Sequence, residues 1–285
     1  MNLFNIINEI EKVDPEFNER ISPRRDAIKN ITSFSSKVAV AALPFAFATM
    51  FKKAYAQTTP TSVTDVLNFA LTLEYLESYF YNQGYASSGL IPSSDINHIG
   101  LIKTDENLHV KFLQSVLGSA AITSPKFDLT AKGTFPDVLT NYQTFLAVAN
   151  AFEDTGVRAY KGQAPNLVGN QTVLTAALSI HAVEARHASY IRALRSSYGV
   201  AIAPWISGTA TSSNDTGVAA VNANYGAGAS ADYPAENNVV QGGVTLTGLP
   251  SAYGSTTPYG VACAAFDEPL DMATVVTIVT PFFAS

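Results

Sequence analysis

Two Glu-x-x-His motifs are the residues of this sequence that most clearly could do chemistry. Glu106 and His109 form the first motif, and Glu184 and His187 form the second. Residues three apart on an α-helix lie on one face, so the carboxylate and the imidazole of each motif can address one metal ion. One such motif is common on surface helices, whereas a repeated one indicates a site.

Two single glutamates complete the repeat. Glu74 precedes the first motif and Glu153 precedes the second at nearly the same spacing. Each glutamate is followed seven residues later by a tyrosine, Tyr81 and Tyr160. The sequence therefore contains two copies of one unit, a glutamate and then Glu-x-x-His, which indicates an internal duplication.

The second motif interrupts an apolar helix face. Spacings of three and four residues are the period of a buried helical stripe. Because burial of an unpaired charge is very costly, the polar members need compensating partners inside the fold. The stripe consists of Val173, Ala177, Ile180, Glu184, His187, Ile191 and Leu194.

Divalent metal ions are the compensating partners that these residue types favour. Two divalent cations bring four positive charges against four carboxylates. Carboxylate oxygens with one imidazole per metal suit iron or manganese better than zinc alone. A bundle of four helices carrying this set of side chains is the arrangement of carboxylate-bridged di-iron and di-manganese proteins.

Two other interpretations of the six residues stay open. They are ordinary salt bridges between helices, or they are a degenerate site that no longer holds metal. Few lysines or arginines lie on the same faces, and Arg158 and Arg186 are expected to pair with Asp105 and Asp154.

Three further residues are expected to contact the ligands without binding metal themselves. Glu77 lies on the same helix face as Glu74, at the repeat position where the third helix has Gly156. A contact to the ligands is the favoured role, and a fifth metal-binding carboxylate or an exposed position at the bundle edge are the alternatives. For Tyr81 and Tyr160 three roles stay open: packing in the core, hydrogen bonding to the ligands, or participation in redox chemistry.

Cap and stop residues predict four helices between residues 60 and 199. The first runs from about Ser62 or Thr64 to Gln83 before Gly84, and the second runs from Ser94 or Asp95 to Leu117. The third runs from near Thr134 to before Pro165, and the fourth from Asn170 to Tyr198. Short links within each pair and a longer link between pairs predict two hairpins joined by a crossover.

The composition changes after Pro204. Residues 207–262 are rich in Gly, Ser, Thr, Asn and Ala, and no helical stripe runs through them. We expect an irregular C-terminal extension, residues 200–285, that packs on the bundle. Its last apolar segment starts with Asp267 and Pro269, which favours a short fifth helix over a strand.

The first 57 residues have the pattern of an export signal. A basic stretch with Arg24 and Arg25 precedes an apolar run from Val38 to Phe51 and a small-x-small site at residues 54–56. This order predicts secretion, and the arginine pair resembles a twin-arginine signal. The predicted location is periplasmic or at the cell surface. An uncleaved N-terminal membrane anchor is the alternative.

The composition excludes some classes of function. The net charge is −6 and the charged fraction is 14%, so the chain lacks the basic surface that nucleic-acid binding requires. Its one cysteine, Cys263, can form neither an internal disulfide nor a thiolate metal cluster.

The region 60–199 resembles the ferritin-like superfamily through these glutamates and histidines. The segment VLNFALTLEYLESYFYNQ is similar to the first helix of exported bacterial ferritin-like domain proteins, including desiccation- and stress-associated ones. The resemblance implies an all-α four-helix bundle that holds two Fe or Mn ions, and a homodimer. It implies Glu74 and Glu153 as terminal ligands, Glu106 and Glu184 as bridging ligands, and His109 and His187 on one metal each.

Two functions follow from this resemblance, and a storage cage is a third option that the large C-terminal extension disfavours. The first is an exported di-metal protein with oxidoreductase chemistry on oxygen, peroxide or Fe(II), which covers ferroxidase, peroxidase and catalase-like activities. The second is a non-enzymatic structural or interaction protein of the stress response. Redox turnover distinguishes the two.

Overall fold

Four long helices form the frame of the molecule. The computed structural model describes residues 62–251 and 256–284. The first helix packs along the second and the third along the fourth, and residues 118–141 join the two hairpins. This arrangement confirms the predicted all-α bundle of two hairpins with a crossover. The helices are α1 (Val63–Ala86), α2 (Ile96–Leu117), α3 (Tyr142–Gln163) and α4 (Gln171–Ser197).

Side-chain caps fix the beginning of three of these helices. Ser62, Asn141 and Asn170 each accept a hydrogen bond from a backbone N–H in the first turn of α1, α3 and α4. Such a bond satisfies a donor that has no partner within the helix. At the C-terminal end of α2, Gly118 takes a φ of 55°, a conformation that glycine adopts without steric cost.

The predicted start of α3 near Thr134 is wrong. Residues 131–140 form successive turns, and α3 begins only at Tyr142. The cap explains the difference, because the Asn141 side chain accepts hydrogen bonds from two N–H groups of the first turn.

Gly84 does not end α1, contrary to expectation. The helix continues through it to Ala86. A β-carbon at position 84 would overlap the ring of Phe145 on α3. The glycine therefore permits close packing of two helices rather than a turn.

The C-terminal extension is irregular, with short elements that pack against α3. The helix predicted near its end is present, but it begins after Asp271, whose carboxylate accepts from the Thr274 N–H. The elements are α5 (Asn222–Tyr225), β1 (Val240–Gln241), β2 (Val244–Thr245), α6 (Tyr259–Ala264) and α7 (Met272–Val279). β1 and β2 pair antiparallel, and α5 and α7 lie on α3. Short 3-10 turns occupy Gly118–Ala120, Ala164–Leu167, Ala219–Val221, Leu246–Gly248 and Thr280–Phe282.

Two apolar clusters fill the bundle on either side of a polar layer. The Phe80 cluster includes Phe80, Ile99, Ile102, Phe145 and Ile191. The Leu71 cluster includes Leu71, Val110, Leu113, Ala177 and Ile180. Along α2 and α4, the glutamate of each Glu-x-x-His motif falls between the two clusters.

The predicted export signal and its alternative, a membrane anchor, lie outside the described residues. Within residues 62–251 and 256–284, every helix is too short or too polar to cross a lipid bilayer.

Candidate metal centre

The polar layer brings the six predicted ligands together. The four glutamates have no solvent-exposed surface, and the His187 residue is 6% exposed. One group, in which the ligand atoms all lie within 4.8 Å of one another, comprises Glu74, Glu106, His109 and Glu184. A second such group comprises Glu106, Glu153, Glu184 and His187.

Glu106 and Glu184 belong to both groups. Each group also contains one histidine and one glutamate of its own, His109 with Glu74 and His187 with Glu153. The two groups therefore overlap at two shared carboxylates. The chain could therefore hold metal at this place, with the residues that the duplicated motif singles out.

His109 points one ring nitrogen at three carboxylates. Its Nδ1 lies 3.2 Å from Glu74 Oε2, 3.3 Å from Glu106 Oε2 and 3.3 Å from Glu184 Oε1. These carboxylates come from three helices, so the imidazole is the centre of the first group.

His187 occupies the same place in the second group. Its Nδ1 lies 2.8 Å from Glu106 Oε1 and 3.3 Å from Glu153 Oε2. Its other ring nitrogen, Nε2, lies 3.2 Å from Asp105 Oδ2 on α2. A carboxylate on the far nitrogen fixes the orientation of a metal-binding histidine.

The role of Asp105 differs from the expected one. It contacts His187 and not an arginine, and its position directly before Glu106 is the only sequence signal for this. Asp154 is bound by Arg192, whose Nη2 lies 2.6 Å from Oδ2. Arg158 contacts Glu236 of the C-terminal extension.

The site fits a cation because several of its buried polar atoms contact one another without forming a hydrogen bond. Six buried side-chain nitrogen and oxygen atoms of the described residues have no hydrogen-bond partner. One of them, Nε of Arg195, does not belong to a predicted ligand. Such atoms cost free energy unless a ligand satisfies them. The other five are Glu106 Oε1, Glu153 Oε2, both carboxylate oxygens of Glu184, and His187 Nδ1.

Two tyrosines cross the bundle to the single glutamates. Tyr160 on α3 donates a 2.5 Å hydrogen bond to Glu74 Oε1 on α1. Tyr81 on α1 donates a short hydrogen bond to Glu153 on α3. Each hydrogen bond joins one hairpin to the other, and the two bonds are related by the internal duplication. They use one oxygen of each glutamate and leave the other oxygen toward the histidines.

Removal of either hydroxyl is expected to weaken metal binding. Tyr81→Phe and Tyr160→Phe should each lower the affinity for Mn(II) by about 10- to 100-fold, because the glutamate loses the group that orients it. The measurement is a chelator competition titration. Tyr75→Phe is the matched control, since Tyr75 lies on α1 but donates its hydroxyl to the Ile122 carbonyl between the hairpins, away from the ligands. Equal affinities for all variants would contradict this role.

Glu77 adds a fifth buried carboxylate beside the two groups. A β-carbon at Gly156 would lie 3.1 Å from Glu184 Oε2 and 3.4 Å from Glu77 Oε1. The missing side chain at Gly156 therefore makes room for two carboxylates at once. Burial, and then the negative charge of Glu184, raise the pKa of Glu77 well above its usual value.

The site holds protons that a metal ion must displace. Burial raises the pKa of the Glu106 carboxyl to about 7. Burial disfavours the charged imidazole of His187, but the negative charge of Glu153 outweighs this and raises the pKa to about 12. A bound metal needs the carboxylate and the neutral imidazole, so binding releases protons.

Metal affinity is therefore expected to rise with pH. Below about pH 7 Glu106 carries a proton that competes with the metal. Burial also raises the pKa of Glu184 well above its usual value, so this carboxyl and the imidazoles hold further protons that the metal must displace. Calorimetric titration with Mn(II) in buffers of different ionisation enthalpy measures the protons released. An affinity that is constant across this range, with no proton release, would contradict the expectation.

The fold and the site together define a class of protein. A four-helix bundle whose core carries two carboxylate and histidine groups is the ferritin-like architecture. A family model described as Ferritin-like domain matches residues 62–197, and this part of the chain is a ferritin-like domain. No curated protein sequence matches the chain significantly.

Proposed function

We propose that the protein is an exported oxidoreductase with a centre of two Fe or Mn ions, acting on oxygen, peroxide or Fe(II). The observation that carries the proposal is the sharing of Glu106 and Glu184 between the two ligand groups. Shared carboxylates hold two ions next to each other. Two adjacent redox-active ions can exchange two electrons with one small oxidant, which a single ion of either group does less readily.

The side chains of this site would have two roles, holding the ions and transferring protons. Glu74 and His109 would hold one ion, Glu153 and His187 the other, with the two shared glutamates between them. The carboxylates, some of which hold protons without metal, are also the groups that can take up or release protons during turnover. The side chains of the two histidines, 12% and 8% exposed, give the site contact with solvent.

We also propose export by the twin-arginine route, based on Arg24 and Arg25 and the apolar run that follows. This route carries folded proteins, so the metal can be bound before transport. Replacement of both arginines by lysine in a full-length chain is expected to leave the protein in the cytoplasm, as measured by cell fractionation. Unchanged export would refute the route.

The test of the redox function uses the purified chain. The chain is loaded with Fe(II) without oxygen, then exposed to dioxygen or hydrogen peroxide, and Fe(III) formation is followed by absorbance. Glu184→Ala should abolish oxidation beyond the rate in buffer, whereas Asp232→Ala, an exposed carboxylate of the extension, should not change it. Failure to take up Fe or Mn, or a rate equal to that in buffer, would overturn the proposal.

A further inference from the structure

An apolar cavity lies in the core beside the metal centre. Its volume is about 20 Å³, and all four long helices contribute to its wall. Of its lining residues only Tyr160 and Gln163 are polar. A cavity needs roughly 10–15 Å³ to hold one water molecule. This one therefore suits a molecule of two or three atoms.

The cavity reaches to within one helical turn of the predicted ligands. Ala70 in its wall precedes Glu74 by four residues on α1, and Ile180 precedes Glu184 by four residues on α4. Tyr160, also in the wall, donates its hydroxyl hydrogen bond directly to Glu74. A molecule in the cavity thus touches the side chain that contacts the metal ligands.

We propose that this cavity binds dioxygen and supplies it to the metal centre. The inference rests on the proposed function and gives one of its oxidants, dioxygen, a path of its own. Water and hydrogen peroxide would lose hydrogen bonds on entering an apolar cavity, which is unfavourable. Dioxygen forms no strong hydrogen bonds in water and loses nothing. Apolar cavities stay dry and bind apolar guests such as xenon.

Peroxide has a different approach to the same centre. The imidazoles of His109 and His187 contact solvent, and the Asp105 carboxylate beside His187 is 46% exposed. A polar oxidant can reach the ligands along this surface without crossing the apolar cavity. The two oxidants are therefore separable by a change confined to the cavity.

Xenon is the direct probe of the cavity. Crystals of the purified chain under xenon pressure should show one xenon atom between Ala70, Tyr160 and Ala177. This result needs neither metal nor activity. Absence of xenon from the cavity would overturn the proposal even if the metal centre is active. If the chain takes up no metal, the proposed function fails, while xenon still reports whether the cavity binds an apolar gas.

A filling substitution tests the supply of dioxygen. Ala177→Leu adds a branched side chain to the cavity wall, and Ala182→Leu adds the same group at an exposed position of the same helix. In a hydrophobic pocket, a mismatch of one methylene group between pocket and substrate is worth about 10-fold or more in rate. We expect this loss in the rate of Fe(II) oxidation by dioxygen for Ala177→Leu, and no loss for Ala182→Leu.

The comparison with peroxide completes the test. In the dioxygen assay, each dioxygen molecule takes two electrons, one from each of two Fe(II) ions. It also takes up two protons and leaves as hydrogen peroxide. With hydrogen peroxide as the oxidant, Ala177→Leu should react at the wild-type rate and bind the wild-type amount of iron. Equal losses with both oxidants, or an unchanged rate with dioxygen, would overturn the proposal. If Ala177→Leu does not fold, xenon occupancy of the wild type decides.

Discussion

Glu184→Ala is expected to empty both metal positions, whereas Glu74→Ala empties one. Glu184 belongs to both ligand groups and is completely buried, but Glu74 belongs only to the group of His109. Under the proposed centre, the metal content per chain should fall from about two to near zero in Glu184→Ala and to about one in Glu74→Ala. Elemental analysis of protein purified from metal-supplemented cells measures this content.

Two further variants control this experiment. Glu153→Ala should mirror Glu74→Ala, because Glu153 belongs only to the group of His187. Glu184→Gln keeps the shape of the side chain and removes a carboxyl whose pKa burial raises well above its usual value. Its apo form should unfold at the wild-type temperature or higher, which excludes misfolding as the cause of metal loss. Identical losses in Glu74→Ala and Glu184→Ala would contradict the shared role of Glu184.

Arg158→Met is expected to cause the largest loss of stability. The Arg158 side chain is completely buried on α3, and its Nε lies 2.8 Å from Glu236 Oε1. Its guanidinium also donates to five backbone carbonyls of the C-terminal extension, those of Asn224, Gly226, Pro234, Glu268 and Pro269. One side chain therefore attaches three separate stretches of the extension to the bundle.

The expected loss for Arg158→Met is about 3–5 kcal/mol in the free energy of unfolding, because Glu236 and the carbonyls stay buried without their partner. Urea denaturation measures the loss, and limited proteolysis should cut within residues 222–270 first. Arg186→Met is the matched control, since Arg186 is exposed on α4 and should change little. Unchanged stability of Arg158→Met would refute the role of this residue.

Glu236→Gln should be much milder than Arg158→Met. Burial raises the pKa of Glu236 to about 8, although the charge of Arg158 opposes the rise. A neutral amide therefore costs little at this position, about 1 kcal/mol. The same denaturation experiment distinguishes the two variants, and similar losses for both would show that the ion pair, and not the carbonyl contacts, carries the attachment.

The bundle and the ligand groups could be predicted because they repeat along the chain. Glu106 and Glu184 stand in apolar stripes of helical period, and the period fixes which face they occupy. Their convergence then follows from the packing of four such faces around one core. The hydrogen bonds of Tyr81 and Tyr160 to the glutamates are one of the roles that the sequence leaves open. Spacing places both tyrosines on the face of the ligands, but it does not give their hydrogen-bond partners.

The contacts outside the repeat could not be predicted in the same way. Arg158 meets Glu236, and Asp105 meets His187, across long stretches of chain with no periodic relation between the partners. The irregular extension has no stripe from which its position could be derived. The start of α3 was missed because Thr134 and Asn141 both suit a cap, and only the turns of residues 131–140 decide between them.

The polar layer between the Phe80 cluster and the Leu71 cluster has a consequence for cooperativity. Each cluster is held together by its own apolar contacts, while the layer between them consists of buried carboxylates and imidazoles, five of whose atoms make no hydrogen bond. Metal ions that draw α1, α2, α3 and α4 together at this level would make the two ends of the bundle unfold as one unit. Without them, amide hydrogen exchange should reveal two units of different stability, one at each end of the helices.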